Sequence, residues 1–295
     1  MNVFRPQKNR QHPAAAFTST PYGLIKIKLN TLYHTSKTLR EKLSDGRICL
    51  GLFHLTSSAI VSEVLAATTI DWLACDLEAS PSGKMNLVHF LQSMKASPVT
   101  AVVRTESSAT QHLEQVLDTG VCAIIIPKVT TREQCLQIVD AVKYPPMGKR
   151  GVNPVRASGY FADVKGYFAS ANSEILTFVQ IESGLAVQHA SEILSVDGID
   201  GAFIGCGDLA MDLGCPGEMT SPVLLSAIDQ VLAACNASKK VPGIFAYDMK
   251  LAQKFIADGF RMIAFGNDIG MLQKSVNNDY NQLSQAAAKT AMPAE

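Results

Sequence analysis

Residues 176–182, LTFVQIE, and residues 200–205, DGAFIG, are short apolar runs that stop abruptly at polar chemistry. The first ends in the carboxylate of Glu182, and the second enters a glycine turn, Gly205-Cys206-Gly207, that delivers Asp208. Six more runs have the same character: RICLGLF (47–53), DWLACDL (71–77), VTAVVRT (99–105), CAIIIPK (122–128), VPGIFAY (241–247) and RMIAFG (261–266). Longer amphipathic segments alternate with them. SSAIVSEVLAAT places Ile60, Val64 and Leu65 on one helical face, and TREQCLQIVDAVK does the same for Cys135, Ile138 and Val142. Strands alternating with helices imply a parallel sheet with crossover helices, and eight repeats imply a closed α/β architecture, a single-domain (β/α)8 TIM barrel. An open, doubly wound sheet is the alternative.

One interval breaks the rhythm. Between the fourth and fifth runs lies YPPMGKRGVNPVRASGYFADVKGYFAS (144–170), whose Pro145-Pro146, Gly148, Gly151 and Pro154 oppose a regular helix. A loop this long in a compact domain is expected to be functional.

Composition limits the partners. Lys plus Arg and Asp plus Glu both total 26, so the net charge is zero and no strongly basic face for nucleic acid is implied. Seven cysteines without a C-x-x-C pair suggest buried, reduced thiols and a cytoplasmic location. No apolar run approaches the roughly 20 residues that span a bilayer. Residues 1–40 contain no Asp or Glu but carry Arg5, Lys8, Arg10, Lys26, Lys28, Lys37 and Arg40. Such a leader can be a mitochondrial transit peptide or a disordered tail. The expected organisation is a basic extension over 1–37, the barrel over 38–280 and a C-terminal tail over 281–295.

In a barrel of this kind the reactive groups gather at the C-terminal ends of the strands. Glu182 ends strand five and Asp208 follows strand six, and neighbouring strands lie about 4.8 Å apart. Two such carboxylates can share one divalent cation, although each can instead cap the helix after its strand. The turn from Gly205 to Leu209 can expose backbone N–H groups to a substrate carboxylate, or can be a plain tight turn. Arg104 ends strand three, where its planar fork suits an oxyanion or carboxylate; a salt bridge to Glu106 or Glu182 is the structural alternative.

The stretches IDWLACDLE, VVR, LDTGVCAIIIPKV, YPPMGKRGV, VQIES, VDGIDGAFIGCGDLAMDLG and PGI occur in an order and spacing that resemble the HpcH/HpaI class II aldolases. That family includes 4-hydroxy-2-oxoheptanedioate aldolase and 2-dehydro-3-deoxyglucarate aldolase, and the resemblance covers about residues 38–275. It implies a (β/α)8 barrel and a divalent metal, Mg or Mn, held by Glu182 and Asp208 and supported by Gln180. It further implies a 2-oxo acid whose carboxylate sits on Gly205, Cys206, Gly207 and Asp208, with Arg104 stabilising the enolate formed on carbon–carbon cleavage.

The chain departs from that pattern at one position. Where the family reads aspartate-x-glutamate-histidine, this sequence reads Asp76-Leu77-Glu78-Ala79. Asp118 matches an acid that pairs with the missing imidazole. His54, at the end of strand one, can supply a relocated base, or Glu78 or a water can carry the proton. The resemblance therefore implies a metal-dependent carbon–carbon lyase acting on 2-oxo acids. The alternatives are a citrate-synthase-like condensing enzyme or a catalytically impaired 2-oxo-acid-binding barrel. The loop at 145–170 and the neighbourhood of Phe53 and Phe245 are expected to shape the pocket for the second reactant. The enzymes it resembles also imply a homo-oligomer, a hexamer, with the Ile269, Leu272 and Val276 face of the last helix reaching a neighbour.

Overall fold

The computed structural model describes residues 37–291. Eight strands form in the eight apolar runs: β1 (Cys49–His54), β2 (Trp72–Asp76), β3 (Thr100–Arg104), β4 (Ala123–Ile126), β5 (Leu176–Ile181), β6 (Gly201–Ile204), β7 (Val241–Phe245) and β8 (Met262–Asn267). All pair in parallel and in sequence order, and β8 returns to β1, closing the barrel. Strands in such a barrel are covered on both faces, which is why they read as continuous apolar runs. Helices α1 (Lys37–Ser44), α2 (Ala59–Ala66), α3 (Lys84–Ser93), α4 (Thr110–Asp118), α5 (Arg132–Val142) and α6 (Val164–Glu174) belong to the first half. The second half carries α7 (Gly184–Gln188), α8 (Ala190–Leu194), α9 (Cys206–Asp212), α10 (Pro222–Ala237), α11 (Met249–Asp258) and α12 (Asp268–Ala291).

The lumen is packed with side chains. Trp72, Phe53, Phe203 and Phe178 are buried within it, and Leu39 and Leu43 of α1 plug its lower end. Trp72 meets Phe53 and Phe203 edge-on, each with ring centroids 6.2 Å away. Gly51, the β1 neighbour of Trp72, has to be glycine, because a Cβ there would lie 2.2 Å from the indole. Along β1 the side chains alternate, so Phe53 enters the lumen while Leu52 belongs to the layer between strands and helices.

Three expectations change. On α2, Ile60 and Val64 are exposed, at 75% and 63%, and the buried positions are Ser62 and Ala66. The helix AIVSEVLA is apolar on more than one side, so its period does not select a face. The interval after α5 is irregular only to Asp163, whose carboxylate caps α6 through Gly166 N–H at 2.8 Å. The helix-breaking prolines and glycines cited all precede it. Finally, α12 runs unbroken through 280 to Ala291. Residues 281–291 are helix rather than tail, consistent with the strong helix propensity of Ala286-Ala287-Ala288. From Leu272 to Lys289 every side chain of α12 is exposed, so the helix leaves the barrel. The acid-free leader lies, up to residue 36, outside the described residues. Among the described residues no helix is long and apolar enough to cross a membrane.

Candidate active site

The strand ends place a ladder of charges across β2, β3, β4 and β5. Asp76, last in β2, stands beside Arg104, last in β3, through the parallel register. Arg104 Nε donates to Asp76 Oδ1 at 2.9 Å and Nη2 donates to Oδ2, a two-pronged pair on a fully buried carboxylate. Asp76 Oδ1 also accepts the N–H groups of Glu78 and Ala79, at 3.0 and 3.2 Å, so the same acid shapes the loop. Glu78 lies between two cations, 3.1 Å from Arg104 Nη1 and 3.1 Å from Lys128 Nζ. The Arg104 guanidinium also covers the Phe53 ring at 5.1 Å. Its partners are thus Asp76 and Glu78, in place of the Glu106 or Glu182 expected for a structural salt bridge.

Lys128 carries the ladder to Glu182. Its φ is +58°, a left-handed conformation uncommon for a residue with a side chain. That conformation accompanies an N–H that donates to Glu182 Oε1 at 2.7 Å. Glu182 Oε2 accepts from Gln180 Nε2. Burial pushes Glu182 up to about 7; the negative charges of Glu78 and Asp208 add to the push, while the Lys128 N–H and the Gln180 amide hold it back.

The glycine turn follows β6. A Cβ on Gly205 would fall 2.7 Å from Gln180 Nε2 and 2.8 Å from Glu182 Oε2, and a Cβ on Gly207 would fall 2.5 Å from the Tyr247 hydroxyl. Close approach, more than turn conformation, requires glycine at both positions. Asp208 is exposed in the first turn of α9, beside Glu182. Cys206 is buried and its thiol is pushed up to about 12 by that burial, so it contributes backbone rather than sulfur chemistry.

Of these groups Asp76, Arg104, Gln180 and the Gly205–Asp208 turn line a cavity of about 470 Å³, while Lys128 and Glu182 line a neighbouring one that shares Asp208 with it. Ala79, Arg104, Gln180 and the Gly205–Asp208 turn form one side, and Phe53, Phe245, Tyr247 and Phe265 form an aromatic wall. Two observations bear on a cation here. Gln180 Oε1 is buried with no hydrogen-bond partner. Asp76, Glu78, Glu182 and Asp208 are four carboxylates, while Arg104 and Lys128 supply two positive charges. Among the described residues no three His, Cys, Asp or Glu side chains are grouped so as to hold a metal ion by themselves. The residues present therefore fit an open seat of two acids and an amide oxygen, completed by water and substrate.

Two predicted residues lie elsewhere. His54 is 1% exposed and, following inward-facing Phe53, belongs to the outer layer. Its Nδ1 lies 2.8 Å from Asp268 Oδ2, its Nε2 lies 3.0 Å from Ser62 Oγ, and its ring stacks on Phe90. With both nitrogens engaged and no contact with the cavity, it is not placed to act as the relocated base. Asp118 ends α4, which descends from the rim, so it sits at the opposite end of the barrel, 2.7 Å from Arg150 Nη2. Within one chain it is far from Ala79. The 145–170 segment likewise connects a descending helix to the start of β5, and none of it lines the cavity. Sequence reasoning missed Asp76 as the anchor of Arg104, and it missed Lys128 and Tyr247. The polar residues closing CAIIIPK and VPGIFAY were the available signal.

The profile of the family described as "HpcH/HpaI aldolase/citrate lyase" matches residues 49–275. The 2-keto-3-deoxy-L-rhamnonate aldolase of Klebsiella pneumoniae is 33% identical over 261 residues, 88% of this chain and 97% of the relative. A crystal structure of an HpcH/HpaI aldolase/citrate lyase family protein from Burkholderia cenocepacia superposes with a TM-score of 0.81 at 28% identity, over 83% of this chain and 98% of that one. The citrate synthase SbnG superposes with a TM-score of 0.76 at 25% identity, over 85% of this chain and 99% of that one. By profile, identity and architecture together, this chain belongs to the HpcH/HpaI aldolase/citrate lyase family.

Proposed function

We propose that the protein is a metal-dependent carbon–carbon lyase of the class II aldolase type, cleaving a 4-hydroxy-2-oxo acid through a pyruvate-like enolate. The observation that carries this reading is the buried, unpartnered Gln180 Oε1 beside Glu182 and Asp208, two carboxylates on adjacent strand ends with Arg104 close by. Glu182 and Asp208, with Gln180, would hold a divalent cation, Mg or Mn. Bound there, it would polarise the 2-oxo group.

The chain's own residues account for the rest. The first turn of α9 offers backbone N–H groups to the substrate carboxylate. Arginine has five N–H donors; Asp76 takes two, and the Nη1 edge faces Glu78. The remaining donors can meet the oxygen on which charge develops as the C3–C4 bond breaks and its electron pair passes into the enolate. The hydroxyl proton at C4 needs an acceptor, and Glu78, or a water it orders, stands next to Arg104 and takes it as the aldehyde leaves. The sugar-acid substrate named for the Klebsiella relative is one member of this class, and the aromatic wall would contact the departing aldehyde.

A second reading is a citrate-synthase-like condensation on the same enolate. Ala79 supports it, because a methyl group replaces an imidazole where a bulkier electrophile would enter, and SbnG shares the fold. Dependence of turnover on a thioester discriminates the two. We also propose a homo-oligomer, a hexamer, in which the exposed α12 stripe of Ile269, Leu272, Val276, Tyr280 and Leu283 packs on another copy. The decisive test of enolate chemistry is incubation with Mn and pyruvate in deuterated water. Exchange of the methyl protons is expected, and its absence together with absent cleavage of 4-hydroxy-2-oxo acids rejects the lyase reading.

A further inference from the structure

A second cavity, about 430 Å³, lies at the closed end of the barrel, opposite the catalytic rim. Arg40, Lys239, Lys240 and Arg261 line it, and Asp200 is the one carboxylate among its described lining residues. Four cations against one acid leave three positive charges in excess. Asp200 is also committed: Oδ1 pairs with Arg40 Nη1 at 2.9 Å, and Oδ2 accepts the Thr177 N–H at 2.7 Å.

The bland account is that these cations cap carbonyl groups where strands begin, and in part they do. Lys240 donates to Ile199 O at 2.7 Å, and Arg261 donates to Gly46 O. Carbonyl contacts satisfy hydrogen bonds but do not neutralise charge. Arg40 Nη2 shares Ile175 O with the ammonium of Lys143, at 3.1 and 2.8 Å, so two cations meet one carbonyl. Arg40 Nε is buried and has no partner. Lys239 makes no ion pair among the described residues and holds a left-handed conformation, φ +54°, in the turn that leads into β7. Lys143, just behind, is pulled down to about 8, first by burial and then by Arg40 and Arg150, with Asp200 opposing. The region is short of negative charge, and its guanidinium groups are the donors that bind phosphate in two-pronged fashion.

We infer that this cavity is an anion site for a small phosphate-bearing ligand, separate from the catalytic centre. Its volume exceeds that of a single monoanion, and its excess of positive charge matches a polyanion. The inference does not depend on the reaction assigned to the rim.

The test uses the full chain, kept metal-free with chelator so that the rim cannot hold phosphate through a cation. Titration calorimetry with pyrophosphate is expected to show saturable binding, one ligand per chain. Lys239→Glu should weaken it at least tenfold. Lys239→Asn, which removes the charge while tolerating the left-handed backbone, should weaken it severalfold and guards against misfolding in the reversal. Arg104→Lys, at the other end of the barrel, should leave the affinity unchanged. Inorganic phosphate and glycerol 3-phosphate form two further arms: equal binding points to free phosphate, and preference for the ester points to a phosphorylated metabolite, either one supporting the site. Absence of saturable binding, heats reproduced by sodium chloride at equal ionic strength, or binding lost in Arg104→Lys but kept in both Lys239 variants would overturn the inference.

Discussion

His54→Ala separates a structural histidine from a catalytic one. The imidazole links β1 to the start of α12 through Asp268 at 2.8 Å and to α2 through Ser62 at 3.0 Å. Removing it leaves a void against Phe90 and strips one partner from Asp268, a carboxylate 3% exposed at its side chain. Asp268 retains four bonds, from Leu55 N–H at 2.9 Å, Thr56 N–H at 3.2 Å, Thr56 Oγ1 at 2.7 Å and Ile269 N–H at 2.9 Å. The loss therefore falls below that of stranding a buried ion, at about 2–4 kcal/mol. In a chain of this size that lowers the melting temperature by roughly 4 to 16 °C. Because neither nitrogen faces the cavity, turnover per folded molecule should stay within about threefold of the parent, against the 10²- to 10⁴-fold loss typical of a missing general base. Calorimetry and steady-state kinetics on the same preparation measure both. A variant of unchanged melting temperature that has lost turnover would refute this reasoning and restore His54 as the base.

Glu182→Gln or Asp208→Asn should lower turnover by about 10²-fold or more with the fold intact, and activity that survives both a chelator and these substitutions would remove the metal from the mechanism. Glu182 sits near 7 in the folded protein and lower when unfolded, so the native state keeps a proton that the unfolded state releases. Stability of the metal-free protein should therefore fall as pH rises from about 4.3 through 7, and denaturant midpoints should show this slope flattened in Glu182→Gln. Arg104→Lys should cost about 10²- to 10³-fold in turnover; near-parental rates would exclude Arg104. Ala79→His should raise cleavage of 4-hydroxy-2-oxo acids by up to about 10²-fold if only a base is missing, whereas weakened native activity with no gain would favour the condensing reading. Light scattering should report an oligomer that Leu272→Asp dissociates, and a parental monomer at micromolar concentration would end that proposal.

The fold was readable because most strand residues are buried on both faces, so the strands appear as apolar runs. The α2 face was not, since Ile60, Val64 and Leu65 compete with Ser62 and Ala66 and only packing chooses. At the site, Glu182, Asp208 and Arg104 stand at the strand ends where their positions in the runs put them. The pairing of Arg104 with Asp76 required the β2–β3 register, which adjacency in sequence does not reveal. Two errors were avoidable. With Phe53 in the lumen, period-two alternation turns His54 outward. A segment between a helix and the next strand belongs to the lower end of the barrel, which removes 145–170 and Asp118 from the rim of their own chain.

Asp76 is the structural reason to expect that another cation will not replace Arg104. The carboxylate has no exposure to water, and its compensation comes from the two prongs of one guanidinium and from the N–H groups of Glu78 and Ala79. A lysine ammonium can satisfy one oxygen of Asp76 or an oxyanion in the cavity, but it lacks the fork to hold both. Losing the prongs would also loosen the turn that carries Glu78 and Ala79, since the same Oδ1 organises it. Arg104 and the backbone of Glu78 and Ala79 thus all hang from one buried acid. In the alternation Asp76, Arg104, Glu78, Lys128 along adjacent strand ends, Glu78 is the carboxylate that faces the Nη1 edge of Arg104. On the proposed reading, an electrophile admitted beside Ala79 would meet that pair.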